Sequence, residues 1–152
     1  MNDRNDRFKP RNYFGTRAAG LLVYCFVTKR FLLLKRSGIV NEPTTYGIIS
    51  GKIEDGEDPL EGLKREIAEE TNRVEEIVIY PEPFYIFTDK DFKFYNYFGI
   101  TNQEFTPKLD MENSGYQWLP IQDFGSVNLH FGVASILQNF SKLIAIIQKY
   151  TY

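Results

Sequence analysis

One cysteine, one tryptophan and one histidine stand among 152 residues, and no charge of either sign dominates, the formal net charge being −2. Each scarcity excludes something. Cys25 has no second thiol with which to form an internal disulfide, so the chain neither needs nor suggests an oxidising compartment. No apolar run approaches the roughly 20 residues that span a bilayer. The first residues, MNDRNDRFKPRNYFG, are polar and hold no apolar stretch that could act as a secretion signal. The near balance of charge leaves no polyelectrolyte footprint of the sort non-specific DNA binding needs. There is also no P-loop, no GxSxG and no zinc spacing. A soluble, cytoplasmic protein is the expectation.

What is present is one domain's worth of chain, with ordinary hydrophobic (43%) and charged (25%) content and a high aromatic share of 16%, which favours a strand-rich core. Charge is unevenly placed. Residues 1–36 hold nine of the 18 basic residues, Arg4, Arg7, Lys9, Arg11, Arg17, Lys29, Arg30, Lys35 and Arg36, against Asp3 and Asp6. Residues 51–73 hold eight of the 20 acids against four bases. This pairing suits a ligand that carries both phosphate and a divalent metal; solvated strand edges and a solvated helix would produce it too.

Along the chain, residues 1–16 read as a polar lead-in and 17–152 as a single domain. AAGLLVYCFV (18–27) and FLLLKR (31–36) read as a hairpin, and SGIVNEPTTYG (37–47) as a loop. A helix is expected over about 59–71, with Asp58 as N-cap and Pro59 in its first turn. EEIVIY (75–80), FYIFTD (84–89), FKFYNYFGI (92–100) and YQWLP (116–120) read as strands, the middle two forming a hairpin through Lys90-Asp91. Apolar residues at helical spacing from Val133 to Ile147 predict a C-terminal helix over about 131–149. The pattern is α+β, or an α/β/α sandwich around a mixed sheet.

The stretch REIAEETNR (65–73) concentrates the chemistry. On a helical wheel, with Glu66 at zero, Glu69 lies at roughly −60° and Glu70 at roughly +40°. Leu63, Ile67 and Leu60 follow at roughly +60°, +100° and +120°, so the acidic arc borders the buried stripe. Carboxylates at such spacing repel one another, and hard divalent cations want oxygen ligands. Gly62, one turn earlier on the arc, leaves room for something to approach. Metal binding and a solvated face both remain open on spacing alone.

The longer segment GKIEDGEDPLEGLKREIAEETNR resembles the Nudix box. Gly51, Glu57, Arg65, Glu66, Ile67, Glu69 and Glu70 fall in its register, while Asn72 and Arg73 depart from its closing Gly and apolar residue. AAGLLVY and YQWLPIQDF extend the likeness more loosely. The resemblance implies a Nudix fold and a pyrophosphohydrolase that cleaves a nucleoside diphosphate linked to X, using Mg2+ or Mn2+. Metal-activated water would attack phosphorus in line while a glutamate takes its proton. By the same resemblance Glu66, Glu69 and Glu70 would be metal ligands, joined by a backbone carbonyl near Ser50-Gly51. Glu57 and Arg65 would form a bracing ion pair, with Arg65 serving as a brace rather than as a neutralising partner for Glu66. Asn72 tolerates the left-handed turn that Gly would make.

Family members often draw a further carboxylate from a late loop. Glu112 is the first candidate for ligand or base, with Asp110 and Glu104 behind it, though each also reads as a solvated loop acid. Glu69, Glu70 and Glu112 are thus the candidate catalytic residues. Arg17, Lys35 and Arg36 are possible phosphate contacts. Aromatic residues over 80–97 could include a ring that stacks on a base, with core packing the ordinary role of each. Cys25 reads as core and His130 as structural. The expected partner is a nucleotide-type small molecule, with no membrane and with nucleic acid only as a capped or 5′-phosphorylated RNA end. The alternative is a catalytically silent Nudix-fold module that binds nucleotide.

Overall fold

The structure, a computed structural model, describes residues 17–38, 43–70, 76–109 and 113–150; the expected lead-in of residues 1–16 lies outside them. Its centre is β1 (Arg17–Cys25), a run of apolar residues buried on both faces, as such a run must be to sit in mid-sheet. Along one edge β1 pairs over its whole length with β7 (Phe92–Thr101) in parallel, from Arg17↔Lys93 to Cys25↔Thr101. Its other edge is shared. β2 (Arg30–Arg36) takes the C-terminal end through Tyr24↔Phe31 and Cys25↔Arg30, and β4 (Ile49–Lys52) takes the N-terminal end from Ala18↔Lys52 to Leu21↔Ile49.

The β1–β2 hairpin therefore splays, and the chain passes through the opening. β3 (Tyr46–Gly47) pairs with β2, after which β4 crosses to β1. Beyond these, β8 (Asn113–Leu119) flanks β2, while β5 (Val78–Ile79) and β6 (Tyr85–Asp89) share the outer edge of β7. β6 and β7 form the expected hairpin through Lys90-Asp91, with Lys90 at φ 56°, the left-handed geometry that a tight two-residue turn requires.

Strand alternation separates two cores. Ala19, Leu21, Val23 and Cys25 pack with Leu63 and Ile67 of α1 (Pro59–Glu70) on one face. Leu22, Tyr24, Phe31 and Phe98 pack with Val133, Ile136 and Leu143 of two C-terminal helices on the other. The sandwich is the expected one. Among the described residues, no helix is long and apolar enough to cross a membrane.

Several elements differ from expectation: Tyr46–Gly47, at the end of the stretch read as a loop, forms β3; Ile49–Lys52, for which no element was expected, forms β4; and β8 begins at Asn113 rather than at residue 116. The strand expected over 75–80 is cut to Val78–Ile79; Tyr80 still donates to the Phe98 carbonyl, but Pro81 and Pro83 have no N–H with which to extend a ladder. The single C-terminal helix is two, α2 (Phe131–Leu137) and α3 (Phe140–Tyr150). Asn139 causes the break. Its side-chain Nδ2 donates to the Ser135 carbonyl at 3.2 Å, the acceptor its own backbone N–H would take in a continuous α-helix. That N–H turns to Ile136 instead.

His130 caps α2, its Nδ1 accepting the Gly132 N–H at 3.0 Å. Burial, aided by nearby Arg36, pushes the imidazole pKa down to about 3, so the native ring is neutral. An unfolded chain binds a proton there near pH 6.5. Stability is therefore fully present above that pH and falls as pH drops from about 6.5 toward 3. We predict that His130→Asn, which keeps a capping side chain, flattens the decline in urea midpoint between pH 7 and 5. An unchanged slope would contradict a neutral native histidine.

Candidate active site

The acidic loop before α1 is tied down mostly through its backbone. Arg17 Nη2 donates to the carbonyls of Glu54 (3.1 Å) and Glu57 (2.9 Å). The Glu57 N–H donates to the Glu54 carbonyl, and the Glu54 N–H returns to Glu57 Oε1 at 2.8 Å. Gly56, at φ +79°, turns the loop in a conformation that L side chains resist. Asp58 then caps the helix, with Oδ2 accepting the Leu60 N–H at 3.0 Å.

Arg65 gathers these parts. Its Nε and Nη2 donate to the two oxygens of Glu57, each at 3.1 Å, in a fork-to-fork pair. Nη2 also donates to the Lys52 carbonyl at 2.9 Å, and Nη1 to Glu66 Oε2 at 3.0 Å. Glu69 Oε2 lies 3.6 Å from Nη1. Hydrogen bonds from Arg65, and then from the Glu54 N–H, hold the Glu57 carboxyl below the usual range, while Glu57 in turn raises the Arg65 pKa. Arg65 is thus a brace and also a partner of Glu66, which corrects the expectation that it would be only the former.

Glu66 and Gly51 meet across the gap between α1 and β4. A Cβ added to Gly51 would overlap the Glu66 carboxylate, so the bare strand backbone is the seat of that carboxylate. Glu66 is largely enclosed, its side chain 16% exposed, whereas that of Glu69 is 59% exposed. Gly62 does not open a path for a ligand, contrary to expectation: a Cβ there would sit 2.9 Å from Glu57 Oε1. The approaching group is the brace itself.

The remaining candidates divide. Glu70 ends α1. Arg17, considered for phosphate contact, has its guanidinium on the loop carbonyls. Arg36 stands at the end of β2, where the register with β8 shifts, near His130. Glu104 is not near Glu66: Arg30 grips both its oxygens at 2.6 Å and Thr28 Oγ1 donates at 2.6 Å. Arg30 pairs with Cys25, about 20 Å along β1 from Ala19, the partner of Gly51. Asp110, Glu112 and Asn72 lie outside the described residues. Sequence reasoning missed the Arg17 clamp and the Lys52 carbonyl. A glycine inside strand β4 was the available sign of close approach at Gly51.

Residues 16–140 match the family described as NUDIX domain. The chain belongs to that family. As a Nudix protein with this brace and acidic helix, it is a hydrolase acting on phosphorus-containing anhydrides. Among solved structures it is similar to a C. elegans Ap4A hydrolase in a binary complex, at 25% identity and TM-score 0.68 over 84% of this chain and 98% of that one. It also resembles a Nudix hydrolase from M. smegmatis, RenU (17% identity, TM-score 0.71, 87% of each chain). A MutT protein from Methanosarcina mazei Go1 is a third neighbour (21%, TM-score 0.66, 84% and 93%). No curated relative matches by sequence.

The seat at Gly51 gives a direct prediction for this Nudix domain. Gly51→Ala should fold normally, since what yields is a flexible side chain, but should displace the Glu66 carboxylate. Turnover should fall about 10-fold or more, measured beside an unchanged circular dichroism spectrum. Full activity in that variant would remove Gly51 from the site.

Proposed function

We propose that the chain is a Mg2+-dependent pyrophosphohydrolase that cleaves a nucleoside diphosphate linked to X, with Mn2+ able to replace Mg2+. The observation that carries this reading is the enclosed Glu66 carboxylate, seated on the bare backbone of Gly51 and oriented by Arg65. The donor set suits a hard divalent ion: Glu66, Glu69, Glu70 and a backbone carbonyl at Gly51 are all oxygen donors. When bound, such an ion neutralises pyrophosphate charge and makes water a nucleophile near neutral pH.

The chain's own residues do the rest. Arg65 fixes the Glu66 carboxylate while Glu57 and the Lys52 carbonyl hold Arg65. Glu69, Glu70 and Glu112 are the carboxylates from which the proton acceptor is drawn. Glu69 meets the requirement of solvent access. Arg36, at the end of β2, is proposed for the substrate phosphate. The buried lone thiol Cys25 suits a reducing compartment, and we place the reaction in the cytoplasm.

Ap4A, named in the C. elegans neighbour, is the first member of the substrate panel, with ADP-ribose, nucleoside triphosphates and capped RNA beside it. Purified protein with Mg2+ should release a mononucleotide or phosphate from at least one member, and chelation should abolish release. Glu70→Gln should lower that turnover at least about 100-fold with folding intact. Tight nucleotide binding without turnover of any member would instead mark a silent binding module.

A further inference from the structure

On the sheet face opposite α1, one buried side chain is short of partners among the described residues. Asn96 in β7 is 4% exposed, and alternation sets it with Phe94 and Phe98 on the face covered by α2 and α3. A carboxamide has two N–H donors and an oxygen with two lone pairs. Among the described residues this one makes a single hydrogen bond, Nδ2 to the Phe94 carbonyl at 3.5 Å, which is at the outer limit of such a bond. The Asn96 main chain is already engaged, its carbonyl accepting the Phe84 N–H at 2.9 Å. Buried amides are nearly always paired, because leaving one unpaired forfeits its hydration.

The register aligns this amide with the active site. Ser50, Gly20, Asn96 and Tyr85 are successive cross-strand partners on β4, β1, β7 and β6. Ser50 adjoins Gly51, and Asn96 is two strand spacings away, about 10 Å. Between them Gly20 offers only backbone. A Cβ there would come within 2.7 Å of the side-chain tips of Ile48 and Phe94, so those movable tips roof the glycine. Phe94 and Tyr85, both half-buried, stand beside the amide, one along β7 and one across on β6.

We propose that Asn96 is a specificity-determining residue that reads an adenine base. With the Ile48 and Phe94 tips displaced, a nucleotide whose pyrophosphate lies at Glu66 and Gly51 turns around the outer edge of β4, which among the described strands pairs only with β1. The base then passes over Gly20 on the opposite face and stacks on a flanking ring. Its amine donates to Oδ1 and its ring nitrogen accepts from Nδ2, the bidentate match of Asn with adenine. The inference rests on the pyrophosphohydrolase reading and narrows it to adenine nucleotides.

Steady-state kinetics of wild type, Asn96→Leu and Asn96→Asp on matched adenine and guanine nucleotides test it. Asn96→Leu should raise KM for the adenine substrate about 10-fold or more with kcat little changed. Its urea midpoint should equal or exceed that of wild type, since an under-paired amide gives way to an apolar group of similar size. Asn96→Asp, an acceptor only, should shift preference toward guanine, which presents two adjacent donors at N1 and N2. Unchanged KM and base preference, a wild type that prefers guanine, or a lowered midpoint in Asn96→Leu each overturns this inference alone. A wild type that cleaves no nucleotide removes the proposed function and the inference with it.

Discussion

The guanidinium of Arg65 is the junction on which the site depends. Four of its hydrogen bonds reach three separate pieces of chain: the loop through Glu57, strand β4 through the Lys52 carbonyl, and the acidic helix through Glu66. Lysine has one compact charge and could not make the planar fork with Glu57 while also reaching two other acceptors. The arrangement also answers the repulsion problem of α1. Glu66 and Glu69 stand a turn apart, and the same Nη1 lies close to both. Much of the brace is in contact with water, so its value lies in orientation rather than in stability.

That junction works because of how β1 is shared. The splayed hairpin admits β4, which brings Gly51 beneath α1 while Ser50 faces the other way. Two rows of cross-strand neighbours result. Gly51, Ala19 and Tyr95 lie on the helix-α1 face, and Ser50, Gly20 and Asn96 on the opposite one. Glycine recurs where the strand must be bare. Gly51 accepts a carboxylate, and Gly20 lies under the tips of Ile48 and Phe94. A phosphoanhydride on one face and a base on the other would thus be held by the two sides of a single stretch of sheet, with the nucleotide rounding the outer edge of β4.

Much of this was legible beforehand, for identifiable reasons. The 3.6-residue period of α1, its Asp58-Pro59 start and the strand runs are local signals, and they placed the sandwich layers. The match to the box placed Glu57, Arg65 and Glu66 in one cluster. Contacts that depend on close approach were not legible. Gly62 looked like an opening because spacing cannot show that the Glu57 carboxylate folds back over it. Arg17 looked available because nothing local ties residue 17 to carbonyls 37 and 40 positions away. Asn139 was read through as helix, since apolar periodicity continued on both sides while its side chain competed for the Ser135 carbonyl.

Charge and geometry make opposite demands on Arg65, and this permits a direct test of its role. Mn2+ affinity, measured by electron paramagnetic resonance on wild type and Arg65→Met, separates them. Removing a cation beside Glu66 and Glu69 should tighten metal binding if Arg65 acts only as a charge. If it orients the carboxylates, affinity should fall about 10-fold or more despite the lost repulsion. The account predicts the fall; unchanged or tighter binding in a folded Arg65→Met protein would contradict it.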